Sequence, residues 1–320
     1  MMRRIALFLF LYLGILSAFE SHGAAWSVEA KGGVKDMVLR QGHLIWGTDR
    51  GILQDYDLKQ KQIVREYTLP KIKDFIGDLM PAKIAAVDWD EGRYLILSDS
   101  GQGGFSDLRI VEGNTTRWIL KAEDRKPLVK ARFIDKDHVL LGYLSDEAAL
   151  LDLTSGKEVY RLQVDESKFS DFALNEDRTI AAFGGESGIV TLLETVTGKI
   201  VKRLSGVNKD NLYMVDIKGD YVAAAGQDRR AAWYDWKRGN QGFFPAKFFV
   251  YAAALSPRGK RAAYSMDEQS NLTLFDLESK EKIALLKGHS AIVNALIFAD
   301  LHTLYSGGDD GKVLGWKINQ

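Results

Sequence analysis

From about residue 26 onward the chain is written in short apolar stretches that stop at turn residues. The segment 287–318 shows the unit most clearly. Lys287-Gly288-His289 leads into Ile292-Val293-Asn294-Ala295-Leu296-Ile297-Phe298. Leu304-Tyr305-Ser306 follows, then a Gly307-Gly308-Asp309-Asp310-Gly311 turn, then Lys312-Val313-Leu314-Gly315-Trp316-Lys317-Ile318. Runs this short, rich in β-branched and aromatic residues and bounded by Gly and Asp, predict strands. The unit recurs. Its third strand carries Trp316, and stepping back gives Phe275, Tyr234, Leu193 and Leu151, at intervals of 41, 41, 41 and 42 residues. Val111 and Tyr56 hold the same place in two earlier units, separated by one longer step. Seven units of about 40 residues match the period of a four-stranded propeller blade.

One blade cannot bury its own faces, so seven repeats predict one closed domain over 26–320. The final unit stops after its third strand, whereas 26–30 alternates as a strand without a blade of its own. The expected architecture is therefore all-β, a seven-bladed propeller whose N-terminal strand completes the last blade and removes a free sheet edge. Blade one is expected over 34–68, blade two from 83, and blades three to six over 128–164, 167–204, 212–245 and 248–286. Only 70–81 breaks the pattern. Ile72, Phe75, Ile76 and Leu79 are spaced i, i+3, i+4, i+7 between Pro70 and Pro81, which predicts either a two-turn helix offered to a partner or a structured loop packed back on the blades. Gly101, Gly103 and Gly104 precede a strand rather than a helix, so they read as a long hairpin loop and not as a phosphate cradle.

The last unit resembles a WD40 repeat, with Gly-His at its head and Trp near its tail. The resemblance implies a buried hydrogen-bonded chain of His289, Ser306, Asp310 and Trp316. Lys317 stands where the family usually closes with Asp, and the other six units keep the strand pattern without the Gly-His. The physical sense is mutual satisfaction of a buried imidazole, hydroxyl and indole N–H. In size, leader, lack of cysteine and degenerate repeats, the chain also resembles the WD40-like periplasmic proteins encoded with periplasmic nitrate reductase in epsilonproteobacteria. That resemblance implies an accessory role in assembling a respiratory enzyme.

Composition narrows the function without naming it. Lys plus Arg and Asp plus Glu number 43 each, so no global charge favours nucleic acid or a membrane surface. The cysteine count is zero, which excludes disulfides, thiolate metal sites and thiol nucleophiles. Residues 1–25 read as a secretory leader: Arg3-Arg4, an apolar stretch from Ile5 to Leu16, and small residues at Gly23-Ala24-Ala25. A retained membrane anchor is the other reading of that stretch. Export to the periplasm and a monomer without cofactor are the expectations. No two of His43, His138, His289 and His302 stand at a helical ligand spacing, and no Gly-x-Ser-x-Gly elbow is present. A propeller enzyme, or a small-ligand or metal site in the central channel, remains the alternative to a protein-binding platform.

Charge is uneven among the turns. Those between second and third strands carry Asp49, Asp146, Asp267 and Asp309, whereas those between third and fourth carry mainly lysines. Good turn chemistry explains this, as does an acidic face that attracts a basic partner. Finally, Glu112-Gly113-Asn114-Thr115-Thr116 has the composition of an ordinary hairpin turn and also fits an Asn-x-Ser/Thr glycan acceptor at Asn114.

Overall fold

A computed structural model describes residues 21–318 of the 320-residue chain. Seven sheets, each built on four antiparallel strands and one carrying a fifth strand at its outer edge, stand around a central channel, which makes the chain a seven-bladed β-propeller. The inner strands run Val34–Arg40, Ile84–Asp90, Leu128–Phe133, Phe169–Leu174, Leu212–Lys218, Ala252–Leu255 and Val293–Phe298. Each packs beside the inner strands of its two neighbours, and the last packs against the first. Second and third strands are buried on both faces, as in Leu44-Ile45-Trp46 and Leu95-Ile96-Leu97. That double burial is why they read as continuous apolar runs, while outer strands such as Gln62–Thr68 alternate and stay exposed.

Blades are held together where backbone meets side chain. Gly47, Gly142, Gly184 and Gly307 lie near the ends of second strands. A Cβ there would sit 2.3 Å from Ile84, 2.7 Å from Phe169, 2.9 Å from Val215 and 2.7 Å from Val34, each on the next blade. Glycine lets the inner strand of one blade press on the second strand of the blade before it.

The ring closes as the alternation of 26–30 predicts. Trp26–Glu29 pairs antiparallel with Lys312–Lys317, with Trp26 opposite Gly315 and Val28 opposite Val313. The Trp26 indole lies over Gly315, where a Cβ would come within 2.2 Å of it, and stacks on Tyr56 of blade one with ring centroids 5.3 Å apart. One aromatic side chain thus ties the outer strand of blade seven to blade one. The first twenty residues of the expected leader lie outside the described residues. Ser21–Gly23, expected as part of its end, pairs in parallel with Lys282–Lys287 at the outer edge of blade six.

Candidate functional site

The insertion between blades one and two is not a helix. Ile72–Lys73 and Leu79–Met80 form a two-stranded hairpin, with Ile72 opposite Met80. Its turn is set by Asp74, whose Oδ1 accepts the backbone N–H of Ile76 at 3.0 Å and of Asp78 at 2.9 Å. Gly77 supplies a left-handed residue at φ +98. Asp and Gly therefore make an Asx-type turn that outweighs the helical spacing of the four apolar residues. The out-and-back path also suits a connection whose two ends enter adjacent blades. Ile72 is half-buried against the apolar cluster of blades one and two that includes Leu69, Ile84 and Val111. Phe75 is 95% exposed, Ile76 69% and Leu79 64%. The alternative of an apolar side folded back on the blades holds only for Ile72.

The hairpin rises from the face formed by the turns between second and third strands together with the connections between blades, here called the upper face. These two sets of segments are stitched to each other around the ring. The N–H of Asp49 bonds the carbonyl of Gly33, Asp99 bonds Lys83, Glu186 bonds Lys168 and Asp309 bonds Ile292, each at 2.9 Å. The expected acidic face dissolves in this arrangement. Connections on the same side contribute Lys31, Lys71, Lys73, Lys83, Lys168 and Lys247, which intermingle with the acidic turns. The opposite, lower face likewise gains Glu91, Asp135, Glu176 and Asp220 from the turns between inner and second strands. Turn composition taken one set at a time hides this, because antiparallel blades place two sets on each face.

The four acids named for a partner surface also differ in what they do. Asp49 is exposed but its Oδ1 holds the Gly33 N–H at 2.9 Å. Asp267 accepts the N–H groups of Gln269 and Asn271, closing its own turn. Asp309 takes a short ion pair from Lys35 at 2.5 Å and the amide of Asn294 at 2.6 Å. Asp146 is no surface residue at all: it is 2% exposed. It occupies the left-handed position of its turn at φ +59, where blades one, four and seven have Gly51, Gly188 and Gly311. From there its carboxyl points inward beside Asp165. Its Oδ2 receives only the Ser167 hydroxyl at 3.4 Å, and its Oδ1 has no partner among the described residues. Burial, and then the charge of Asp165, push its pKa up to about 7.

The four residues matched to the WD40 repeat meet in the order the resemblance implies. The Asp310 carboxylate lies 3.1 Å from His289 Nδ1, and His289 Nε2 lies 2.7 Å from Ser306 Oγ. Trp316 Nε1 donates to the same Ser306 Oγ at 2.8 Å. Burial holds the imidazole below its ordinary pKa in spite of the Asp310 charge. The chain links the connection into blade seven with that blade's second and third strands. Its members satisfy one another's buried polar atoms, which is a structural role.

Sequence reading missed the channel. Four aspartates on inner strands each cap a backbone N–H of the next blade. Asp36 accepts from Val87 at 2.8 Å, Asp88 from Phe133 at 2.9 Å, Asp171 from Val215 at 3.0 Å and Asp216 from Leu255 at 2.7 Å. Cations then meet these carboxylates, three of them from another blade and Lys218 from the same strand as Asp216. Arg132 pairs with Asp36 at 2.8 Å, Arg178 grips Asp88 at 2.7 and 3.1 Å, Lys130 contacts Asp171, and Lys218 meets Asp216 at 3.2 Å. Burial works against the Asp88 carboxylate, but Arg178 and its hydrogen bonds bring its pKa below the ordinary value. Burial raises that of Asp171 in spite of Lys130. The sequence signal was present as lone aspartates within otherwise apolar inner strands, in Val87-Asp88-Trp89 and Val215-Asp216-Ile217. Their partners lie up to 96 positions away, beyond any local pattern.

Between the two mouths the channel encloses a cavity of about 580 Å³. Among the described residues no three His, Asp or Glu side chains converge to hold a metal ion, and no helix is long and apolar enough to cross a membrane. Asn114 is exposed in the tight turn between Ser106–Glu112 and Thr115–Leu120, and Arg65 reaches across to the neighbouring Gly113 carbonyl. No protein-family model matches this chain, and no curated protein matches it either.

Proposed function

We propose that the protein is a non-catalytic interaction platform whose anchor is the 72–80 hairpin on the upper face. The observation that carries this reading is the tip itself. Phe75, Ile76 and Leu79 are exposed together on a short two-stranded hairpin, and large apolar residues gathered at a protruding turn favour burial in a partner. Mixed charges on the surrounding turns suit a polar rim around that anchor. The propeller scaffold supplies rigidity, and propellers commonly mediate protein contacts. The channel aspartates and four of the channel cations are engaged with one another, which favours a structural role for them over acid–base chemistry.

The finer reading rests on the leader-like pattern of residues 1–25 and on the resemblance to WD40-like proteins encoded with periplasmic nitrate reductase. On it the protein is exported to the periplasm as a monomer and assists assembly of a respiratory enzyme, one of whose subunits is the partner. The test is reciprocal co-purification with periplasmic nitrate reductase subunits, using the wild type and the Phe75→Ser/Ile76→Ser variant. The expected result is capture by the wild type and loss of capture by the variant at an unchanged melting temperature. Equal capture by both proteins removes the hairpin as anchor, and no capture by either removes the nitrate reductase partner.

A further inference from the structure

Six cationic side chains line the channel: Lys35, Arg40, Lys130, Arg132, Arg178 and Lys218. Five of them have a carboxylate within ion-pairing distance, respectively Asp309, Asp171, Asp36, Asp88 and Asp216 for all but Arg40. Arg40 ends the inner strand of blade one at the lower mouth. Its Nε donates to the Trp89 carbonyl at 3.3 Å, and neither Nη has a hydrogen-bond partner among the described residues. The acids around it are already occupied. Asp88 is gripped by Arg178 and by the Phe133 N–H, and Asp90 is paired with Arg93. Glu176 also lines the mouth, but it is exposed and its Oε2 takes the Gly219 N–H at 3.1 Å. Leu39, Leu174, Ile297 and Phe298 supply apolar wall, which strengthens any charge interaction made there.

We propose that the lower end of the channel is a binding site for a small oxyanion, a phosphate or carboxylate group, held by the free fork of Arg40 beside the Arg178 guanidinium. A planar fork with both Nη groups unengaged fits two oxygens of such a group, whereas a lone ammonium would not impose that geometry. Arg178 is fixed on Asp88 and leaves its remaining positive field at the same place. The two guanidinium groups repel each other: burial, and next the charge of Arg178, lower the Arg40 pKa. An anion between them removes that repulsion. The site lies on the face opposite the hairpin and does not depend on the platform reading.

Isothermal titration of the purified protein with inorganic phosphate, and separately with a short neutral peptide bearing a free C-terminal carboxylate, tests the proposal. Tighter binding of phosphate assigns the site to a free anion, and tighter binding of the peptide assigns it to a chain terminus. Absence of binding by both overturns the site. Arg40→Gln should weaken whichever ligand binds by about tenfold or more, the size expected for loss of a charged hydrogen-bonding partner. In low-salt buffer without the ligand, Arg40→Gln should also raise the melting temperature, because burial and then the Arg178 charge disfavour the cation more than Asp88 and Asp90 favour it. A lower melting temperature together with unchanged binding would show that Arg40 only ties blade one to Trp89. Arg40→Lys keeps the charge without the fork and should fold normally while binding more weakly; full affinity in that variant overturns the bidentate geometry.

Discussion

Replacing Asp146 by Asn should stabilise the protein strongly at high pH and very little in acid. The carboxyl is 2% exposed, its Oδ1 lacks a partner, and Asp165 stands nearby. Its pKa moves from the ordinary 3.8 to about 7. In the unfolded chain the group ionises near its ordinary value, so between those two values the native state binds a proton that the unfolded state has lost. Stability from this group is thus greatest in acid and falls as the pH rises through the folded pKa. Above that point both states are ionised and the native state carries the full cost of the buried charge. Three pKa units correspond to about 4 kcal/mol, an upper bound that reorganisation of Asp165, Ser167 and Arg203 will reduce. Near pH 4 the cost shrinks to under about 1 kcal/mol. Asn removes the charge and tolerates the left-handed backbone at φ +59, so no new strain offsets the gain. Urea denaturation of wild type and Asp146→Asn at a series of pH values reads the difference directly. The reasoning fails if the variant is no more stable near pH 8, or if its advantage is the same at pH 4.

Three further outcomes follow from the fold. Deleting residues 26–33 removes the outer strand of blade seven and the Trp26–Tyr56 stack, so the melting temperature should drop and light scattering should report aggregation through the bared edge; unchanged melting would show that the ring closes without this strand. His289→Ala and Asp310→Ala should each cost about 1–3 kcal/mol, and their double-mutant cycle should be non-additive because both act on one hydrogen-bonded chain; additive losses would separate them. The exposed Asn114 turn should carry a glycan in the protein isolated from its native source, and intact mass checks it, since a wholly unmodified protein removes that expectation.

Most of the architecture was legible without coordinates, because it is built from contacts that a repeat announces locally. Strands of four to seven residues bounded by Gly and Asp, recurring at intervals of 41 and 42, leave few ways to bury both faces other than a ring of seven. The unpaired strand at 26–30 and the three-stranded last unit were two halves of one blade, visible as a mismatch in the count. The histidine network was legible too, since His289, Ser306, Asp310 and Trp316 lie within a single unit. What only the tertiary structure decided depends on which distant segments share a place. Apolar residues at 72, 75, 76 and 79 have helical spacing, but Asp74 and Gly77 bend the segment into a hairpin whose two ends must enter neighbouring blades. Asp146 looks like any exposed turn acid until the packing of blade four closes over it, leaving its carboxyl against Ser167 and the backbone at Gly185. The charge of each face is the sum of two sets of turns that the sequence keeps far apart. The ion pairs across the channel join residues 96 and 90 positions distant. Arg132 and Arg178 find their aspartates, and Arg40 is left without one among the described residues, only when the inner strands of several blades stand together around the channel. Local periodicity encodes how each blade forms, whereas the closure of the ring determines which charges face one another.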